Sequence, residues 1–192
     1  MGKKHMKTPA PEIPSRRKFL GLSAAALALP ILTRLPSFAE PAPLPADRDL
    51  SLFNIHTREL AAVEYCRSGR IVAPSLEKIN YILRDYRTGE MKDIDLRLLD
   101  LLHALSRKTA ADRPFHVISG YRSPRTNAYL RANGRGVAEH SLHILGRAVD
   151  IRMPGLGLRD LYRAALSLRG GGVGFYPASD FVHVDVGGVR TW

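Results

Sequence analysis

One segment of the chain carries residue types that could hold a metal ion. Residues 141–150 read SLHILGRAVD, which places His143 and Asp150 seven positions apart. A neutral imidazole and a carboxylate are two of the ligand types that bind catalytic zinc, and three protein ligands leave a fourth position for water. His183 is the best candidate for the third ligand. A surface histidine followed by a capping or paired carboxylate has the same spacing, so this pattern alone is weak.

The segment that contains His183 has the alternation of a β-strand. Residues 181–186 read FVHVDV, so period two puts three valines on one face and Phe181, His183 and Asp185 on the other. The valine face is expected to enter the core. The opposite face, with an imidazole and a carboxylate, is then either solvent-exposed or the floor of a cleft. A plain amphipathic edge strand is the alternative interpretation.

Several elements must position these residues. Gly146 interrupts any helix in the first segment, and residues 148–151 predict a short buried strand after it. Upstream, residues 115–118 predict another strand. Ser123 as N-cap and Pro124 at the first helical position predict a helix through about Ala132.

The remaining pattern predicts a mixture of strands and helices. Residues 50–55 and 61–66 predict an N-terminal hairpin, and residues 173–176 predict a further strand after the glycines 170–172, which permit a tight connection. Apolar spacing predicts three helices, one from about Ser75 to Gly89, one over residues 94–105 and one over residues 158–168. His103 is interpreted as a residue on the flank of the second of these helices rather than as a ligand.

Composition limits the classes of protein to which the chain can belong. The chain has 192 residues, enough for one domain, and its single cysteine, Cys66, excludes a disulfide framework and a cysteine-rich metal site. Cys66 is expected to be a small buried hydrophobic residue. Residues 1–39 carry seven basic residues and one acidic residue, so they account for six of the eleven net positive charges. The mildly basic remainder favours anionic partners such as cell-wall polymer or a membrane surface, and no basic block indicates nucleic acid.

The N-terminus has the layout of an export signal. Residues 15–20 read SRRKFL, an apolar run follows over residues 21–32, and Ser37 and Ala39 supply the small residues of a cleavage site. The paired arginines resemble the twin-arginine class, which predicts a signal peptide over residues 1–39 and a periplasmic protein. The run is too short and interrupted for a comfortable membrane span, and a retained anchor is the alternative. Residues 40–48 predict a proline-rich linker, and residues 49–192 predict the functional domain.

The motifs together resemble a known family. The pattern Ser-x-His-x-x-Gly-x-Ala-x-Asp in residues 141–150, with an acid-x-x-His in residues 180–183, is similar to the zinc D-alanyl-D-alanine peptidases, which share their fold with the hedgehog signalling domain. Residues 119–124 (SGYRSP), 171–176 (GGVGFY) and 189–192 (VRTW) resemble one branch, the exported murein endopeptidase-like proteins of Gram-negative bacteria. The resemblance covers nearly all of residues 49–192.

The resemblance implies a fold and a set of ligands. The fold is α+β: a single domain in which a small antiparallel sheet carries the zinc site, helices pack against it and the hairpin precedes it. His143, Asp150 and His183 correspond to the ligands of Zn2+. Asp180 corresponds to the general base, although many relatives have Glu at that position. Asp185 is the rival base, and its alternative role is to orient the imidazole of His183.

The resemblance also implies roles at the edge of the site and a reaction. Arg122 corresponds to the cation that holds the substrate and the developing oxyanion. Ser141 either hydrogen-bonds within the site or caps the turn, and His140 is interpreted as a rim residue. Zinc would activate a water molecule, and a carboxylate would take its proton.

The function implied is periplasmic zinc-dependent hydrolysis of the peptide cross-links of peptidoglycan. The family resemblance allows D,D and L,D linkages. A D,D- or L,D-carboxypeptidase that trims stem peptides and a non-catalytic zinc-stabilised wall-binding module are the alternatives. We expect a monomer whose partner is peptidoglycan, with no nucleic acid and no membrane span after cleavage of the signal.

Overall fold

The computed structural model describes Gly2 and residues 46–110, 112–133 and 137–192. The predicted signal peptide, apart from Gly2, and most of the predicted linker lie outside the described residues. The second unit of the chain, Ala42–Trp192, contains the segments that carry the candidate site. Within the described part of the chain, no helix combines the length and the apolar composition that crossing a membrane requires.

A single mixed sheet organises the second unit. Its eight strands lie in the order β3-β2-β1-β4-β5-β7-β6-β8 over the described residues. Their bounds are β1 (Arg48–Asn54), β2 (Leu60–Arg67), β3 (Arg70–Ile71), β4 (Phe115–Ser119), β5 (Ala148–Arg152), β6 (Gly172–Tyr176), β7 (Phe181–Asp185) and β8 (Arg190–Thr191).

The α+β class is confirmed, but the small antiparallel sheet is wrong. Strand β1 pairs antiparallel with β2 to form the predicted hairpin, and it also pairs parallel with β4, where Leu52 lies opposite Phe115. The hairpin therefore extends the sheet rather than preceding it. Parallel neighbours need a long crossover, and the helices between β2 and β4 provide it. Strand β8 pairs parallel with β6 at the far end of the sheet.

Four α-helices occur in the described residues: α1 (Ala73–Ile82), α2 (Leu96–Thr109), α3 (Pro124–Ala132) and α4 (Leu158–Leu168). The prediction for α3 is confirmed, since Ser123 Oγ accepts a hydrogen bond from the backbone N–H of Thr126 at 3.2 Å. Helix α1 ends well before the predicted Gly89. Its last carbonyl, of Ile82, accepts a hydrogen bond from Asn54 Nδ2, and the next carbonyl accepts one from the Tyr121 N–H. These tertiary partners compete with continuation of the helix.

The core lies between the sheet and helices α2 and α4. Both helices contact each other and the strands beneath them, and their apolar faces are buried together with Val149, Ile151, Val182 and Val184. Because side chains alternate along a strand, burial of these residues turns Asp150 and His183 to the opposite face of the sheet. The predicted valine face of β7 is confirmed.

Two residues that the sequence pattern excludes from the candidate site, His103 and Cys66, lie in this core region. His103 is buried inside α2 rather than at its flank, and its Nδ1 lies 2.9 Å from the carbonyl oxygen of Asp49. This contact links α2 to β1, and His103 is not among the residues that cluster around a candidate metal position. Cys66 is buried as predicted, and its sulfur accepts a hydrogen bond from Arg48.

Candidate metal centre

The central strands and a short turn bring the three predicted ligands together. Asp150 of β5 and His183 of β7 lie directly opposite each other in an antiparallel register. His143 lies in a short 3-10 helix, Leu142–Leu145, which is capped by Ser141 and ends at Gly146. Gly146 has a φ of +67°, and a Cβ there would lie 2.6 Å from the carbonyl oxygen of Asp93. Only glycine therefore suits this turn, which returns the chain from His143 to β5.

The three candidate ligand atoms lie close enough together to hold one metal ion. His143 Nε2 lies 3.3 Å from Asp150 Oδ1 and 3.2 Å from His183 Nδ1, and the distance from His183 Nδ1 to Asp150 Oδ1 is 2.8 Å. Zinc–nitrogen bonds of about 2.0–2.1 Å separate neighbouring tetrahedral ligand atoms by about 3.3–3.4 Å. Two of the three separations match that value closely, and the third is shorter.

Hydrogen bonds behind the two imidazoles fix which nitrogen faces the centre. His143 Nδ1 lies 2.7 Å from the carbonyl oxygen of Gly120, which can only accept, so the proton is on Nδ1. His183 Nε2 lies 3.0 Å from Asp185 Oδ2, so a neutral His183 carries its proton on Nε2. Both imidazoles then present lone pairs to each other and to the carboxylate of Asp150. These three acceptors repel one another unless a cation lies at their centre. The donor set therefore fits a metal ion.

The electrostatics of the group agree with this arrangement. Burial raises the pKa of Asp150, but the charge and hydrogen bonds of His143 and His183 outweigh burial and leave the pKa below its usual value. Burial also lowers the pKa of His183, and the hydrogen bonds to Asp150 and Asp185 outweigh it and raise the pKa to about 9. A positive charge is therefore favoured between these carboxylates, and a metal ion can supply it in place of the proton.

Asp185 lies behind His183, away from the cavity. Its carboxylate is fully buried and accepts hydrogen bonds from the backbone N–H groups of Gly172 and Gly187, at 3.0 and 2.8 Å. Arg190 binds both carboxylate oxygens, at 3.1 and 2.7 Å. Burial raises the pKa of Asp185, but hydrogen bonds from His183 and Arg190 lower it below its usual value. This geometry suits orientation of His183 more than proton transfer.

Asp180 is not brought to the three ligands. Its Oδ2 lies 2.6 Å from Arg152 Nη1, its side chain is 61% exposed, and it lines a separate cavity with His116. Arg152 follows Asp150 by two residues on β5, so both project from the same face of the sheet. Asp180 thus lies on the face of the sheet that carries Asp150, but it is displaced along that face from the three candidate ligands.

Arg122 lies beside the ligands with unused hydrogen-bonding capacity. It is 8% exposed, its Nη2 lies 3.7 Å from Asp150 Oδ2, and its other contacts, to Asn127 and Ser119, are 3.3 and 3.4 Å long. Its Nε is buried and has no hydrogen-bond partner among the described residues. Burial lowers the pKa of Arg122, and the nearby charge of Asp150 opposes that shift. A guanidinium in this state can bind an incoming carboxylate or oxyanion.

The three candidate ligands and Arg122 open into a cavity of about 370 Å³. It is lined by Arg122, Val137, Ala138, His140, Ser141, His143, Asp150, Tyr176, Phe181, His183, Arg190 and Trp192. The sequence interpretation assigned no role to the individual aromatic residues or to Arg190. A signal was present in the glycines of β6, because a Cβ on Gly172 would meet Arg190 and Asp185, and a Cβ on Gly174 would meet Trp192 and Tyr176.

Two imidazoles and one carboxylate thus form a buried set beside the guanidinium of Arg122, in an open cavity. This arrangement has the form of a hydrolytic metal centre. Comparison with known proteins gives the family. Residues 43–192 match the family described as "Peptidoglycan L,D-endopeptidase MepK", and the chain belongs to that family. This confirms the resemblance seen in the motifs.

Individual relatives align with this chain over almost their full length. The chain is 43% identical over 178 residues to the peptidoglycan L,D-endopeptidase MepK of Escherichia coli (strain K12), an alignment that covers 93% of this chain and 97% of the relative. The relative of the same name from Shigella flexneri has the same identity and coverage. The probable peptidoglycan L,D-endopeptidase MepK of Haemophilus influenzae is 38% identical over 179 residues, with 93% and 95% covered.

Proposed function

We propose that this chain is a zinc-dependent endopeptidase that hydrolyses L,D peptide cross-links of peptidoglycan in the periplasm. The observation that carries the proposal is the convergence of three lone-pair donors, His143 Nε2, His183 Nδ1 and Asp150 Oδ1, at the floor of an open cavity. Membership of a peptidoglycan endopeptidase family and the printed names of the relatives support the substrate and the linkage.

Zinc suits the donor set, because two imidazoles and one carboxylate are ligands that it takes in catalytic sites. When bound, it supplies a Lewis acid that makes water a strong nucleophile at neutral pH. The hydrogen bonds from His143 to Gly120 and from His183 to Asp185 would hold both rings in the orientation that the metal needs.

We propose that Arg122 anchors the substrate. Its buried guanidinium lies next to Asp150 and has donors to spare, so it would bind the carbonyl oxygen of the scissile bond and stabilise the negative charge that develops there. Its backbone N–H donates to the carbonyl oxygen of His143, which ties its position to that of a ligand.

We propose Asp180 as the group that takes the proton from the attacking water and returns it to the leaving amine. Its pair with Arg152 is solvent-exposed, and such pairs contribute only about 0–1 kcal/mol, so the carboxylate can leave Arg152 when a substrate binds at the neighbouring ligands. Asp185 is buried and fully hydrogen-bonded, which supports the alternative role of orienting His183.

The surrounding proposals concern location and assembly. We propose that residues 1–39 are a twin-arginine signal, that residues 40–48 are a linker, and that the mature protein acts as a monomer in the periplasm. Peptidoglycan is the partner, and the net positive charge that remains beyond residue 39 suits its anionic stem peptides.

Digestion of purified muropeptides by the zinc-loaded protein, followed by mass analysis, tests the proposal. Conversion of L,D-linked dimers to monomers is the expected result. Cleavage of D,D-linked dimers alone would correct the linkage, and release of single terminal residues would indicate a carboxypeptidase. A zinc-loaded protein that binds the muropeptides without changing them would favour the wall-binding module.

A further inference from the structure

Three aromatic side chains form one side of the cavity, and we refer to Tyr176, Phe181 and Trp192 as the aromatic wall. Tyr176 ends β6, Phe181 begins β7, and the two rings stack with their centroids 4.5 Å apart. Trp192 follows β8, and its ring centroid lies 5.3 Å from that of His183. The wall therefore stands directly beside a candidate metal ligand.

The wall is held rigidly. Trp192 Nε1 donates a hydrogen bond to the hydroxyl of Tyr176 at 2.7 Å, and the carbonyl oxygen of Trp192 accepts one from the Phe175 N–H at 3.0 Å. Gly174 lies beneath the indole, and a Cβ there would lie 2.7 Å from Trp192 Cε2. The absence of that side chain lets the ring rest on β6. A preformed surface binds a ligand without a further ordering cost.

The wall presents aromatic ring carbon beside His183. The indole N–H is already satisfied by Tyr176, yet Trp192 remains 48% exposed. The carboxylate among the cavity-lining residues is that of Asp150, which faces the imidazoles. The surface next to His183 thus offers aromatic carbon rather than a carboxylate, and methylene groups pack against such a surface.

We propose that the aromatic wall is a subsite for the aliphatic side chain of the residue that adjoins the scissile bond. The inference rests on the proposed function for the nature of the substrate, a stem peptide of peptidoglycan. Arg122 lines the same cavity, so it would hold a carboxyl or carbonyl oxygen while the wall holds the methylenes. Selectivity for the length of that side chain follows, because each fully buried methylene improves binding about fourfold.

Trp192 is the only tryptophan of the chain, so intrinsic fluorescence reports on the wall itself. Zinc-loaded protein is titrated with two series of N-acetylated product-like peptides that carry one to four side-chain carbons at the C-terminal or at the N-terminal residue. Isothermal calorimetry on the same peptides gives Kd without relying on the fluorophore. We expect the emission to shift, and Kd in one series to fall up to about fourfold per added methylene.

Variants separate the wall from the rest of the site. Trp192→Ala and Phe181→Ala are expected to flatten the dependence of Kd on side-chain length while leaving the zinc content unchanged, and Trp192→Phe is expected to restore part of it. Tyr129→Ala removes an exposed aromatic residue of α3 and serves as the matched control. Circular dichroism checks that each variant is folded.

The possible outcomes distinguish failure of the wall as a subsite from failure of the proposed function. Length-dependent binding that Trp192→Ala leaves unchanged would overturn the wall, as would equal Kd values across both series in the wild type. These binding results do not depend on turnover. A wild type that binds with length dependence but converts no muropeptide would overturn the proposed function and leave the wall standing.

Discussion

Replacement of Asp185 by alanine tests how the centre is held together. The carboxylate accepts a hydrogen bond from His183 Nε2 at 3.0 Å, and it also accepts from Gly172, Gly187 and Arg190. Without it, His183 loses the partner that fixes its tautomer, and the buried Gly172 N–H loses its acceptor. Loss of such a supporting group typically weakens metal binding by about 10–100-fold, and an unsatisfied buried N–H costs about 1–3 kcal/mol of folding stability.

Competition with a chelating dye measures the zinc affinity of Asp185→Ala, and denaturant unfolding of the metal-free protein measures its stability. Asp160→Ala, at an exposed carboxylate in the first turn of α4, is the control; it is expected to leave the zinc affinity unchanged and to cost at most about 1 kcal/mol of stability. Rescue of zinc affinity by Asp185→Asn, whose amide oxygen can still accept from His183, would support orientation. Wild-type zinc affinity with loss of turnover in Asp185→Ala would refute the reasoning and make Asp185 the base.

Three further perturbations have defined outcomes. Gly146→Ala should destabilise the protein by more than the about 1 kcal/mol expected of Gly69→Ala, since both have positive φ but only Gly146 also meets a backbone carbonyl; equal losses in denaturant unfolding would contradict this. Burial raises the pKa of Asp85, but hydrogen bonds from Thr126 and Ser123 lower it below its usual value, so Asp85→Asn should lose stability at neutral pH and the difference should shrink below about pH 4. A difference that stays constant with pH would exclude that linkage. Arg122→Ala should lower kcat about 100-fold with zinc content unchanged, whereas an effect on KM alone would restrict Arg122 to substrate binding.

The sequence predicts most of the local structure around the centre because the signals there are local. Ser123 and Pro124 mark the start of α3, and the alternation in residues 181–185 defines β7 and its two faces. The turn at Gly146 is predictable for the same reason, since a single residue without a Cβ meets the requirement.

The parts that the sequence does not predict depend on contacts distant along the chain. The parallel pairing of β1 with β4 joins residues separated by two helices, and β8 is too short to have a periodicity. The early end of α1 is set by Asn54 and Tyr121, which lie on other elements. The position of Asp180 beside Arg152 likewise follows from the alignment of β5 with β7 rather than from the spacing of Asp180 to His183.

The bidentate ion pair between Arg190 and Asp185 is another contact that the sequence does not predict. Five residues separate them along the chain, with a turn between, and no pattern indicates that β8 returns beside β6 and brings the guanidinium to that carboxylate. The glycines of β6 are a partial signal, because glycine in a strand often marks a place where another segment of the protein approaches closely.

The most direct test of the central claim is metal content measured together with activity. Purified wild-type protein should contain about one zinc per chain, His143→Ala should contain almost none, and zinc should restore muropeptide cleavage to chelator-treated wild type. Cleavage at the full rate by metal-free wild type would contradict the assignment of His143, Asp150 and His183 as the ligands of a catalytic metal.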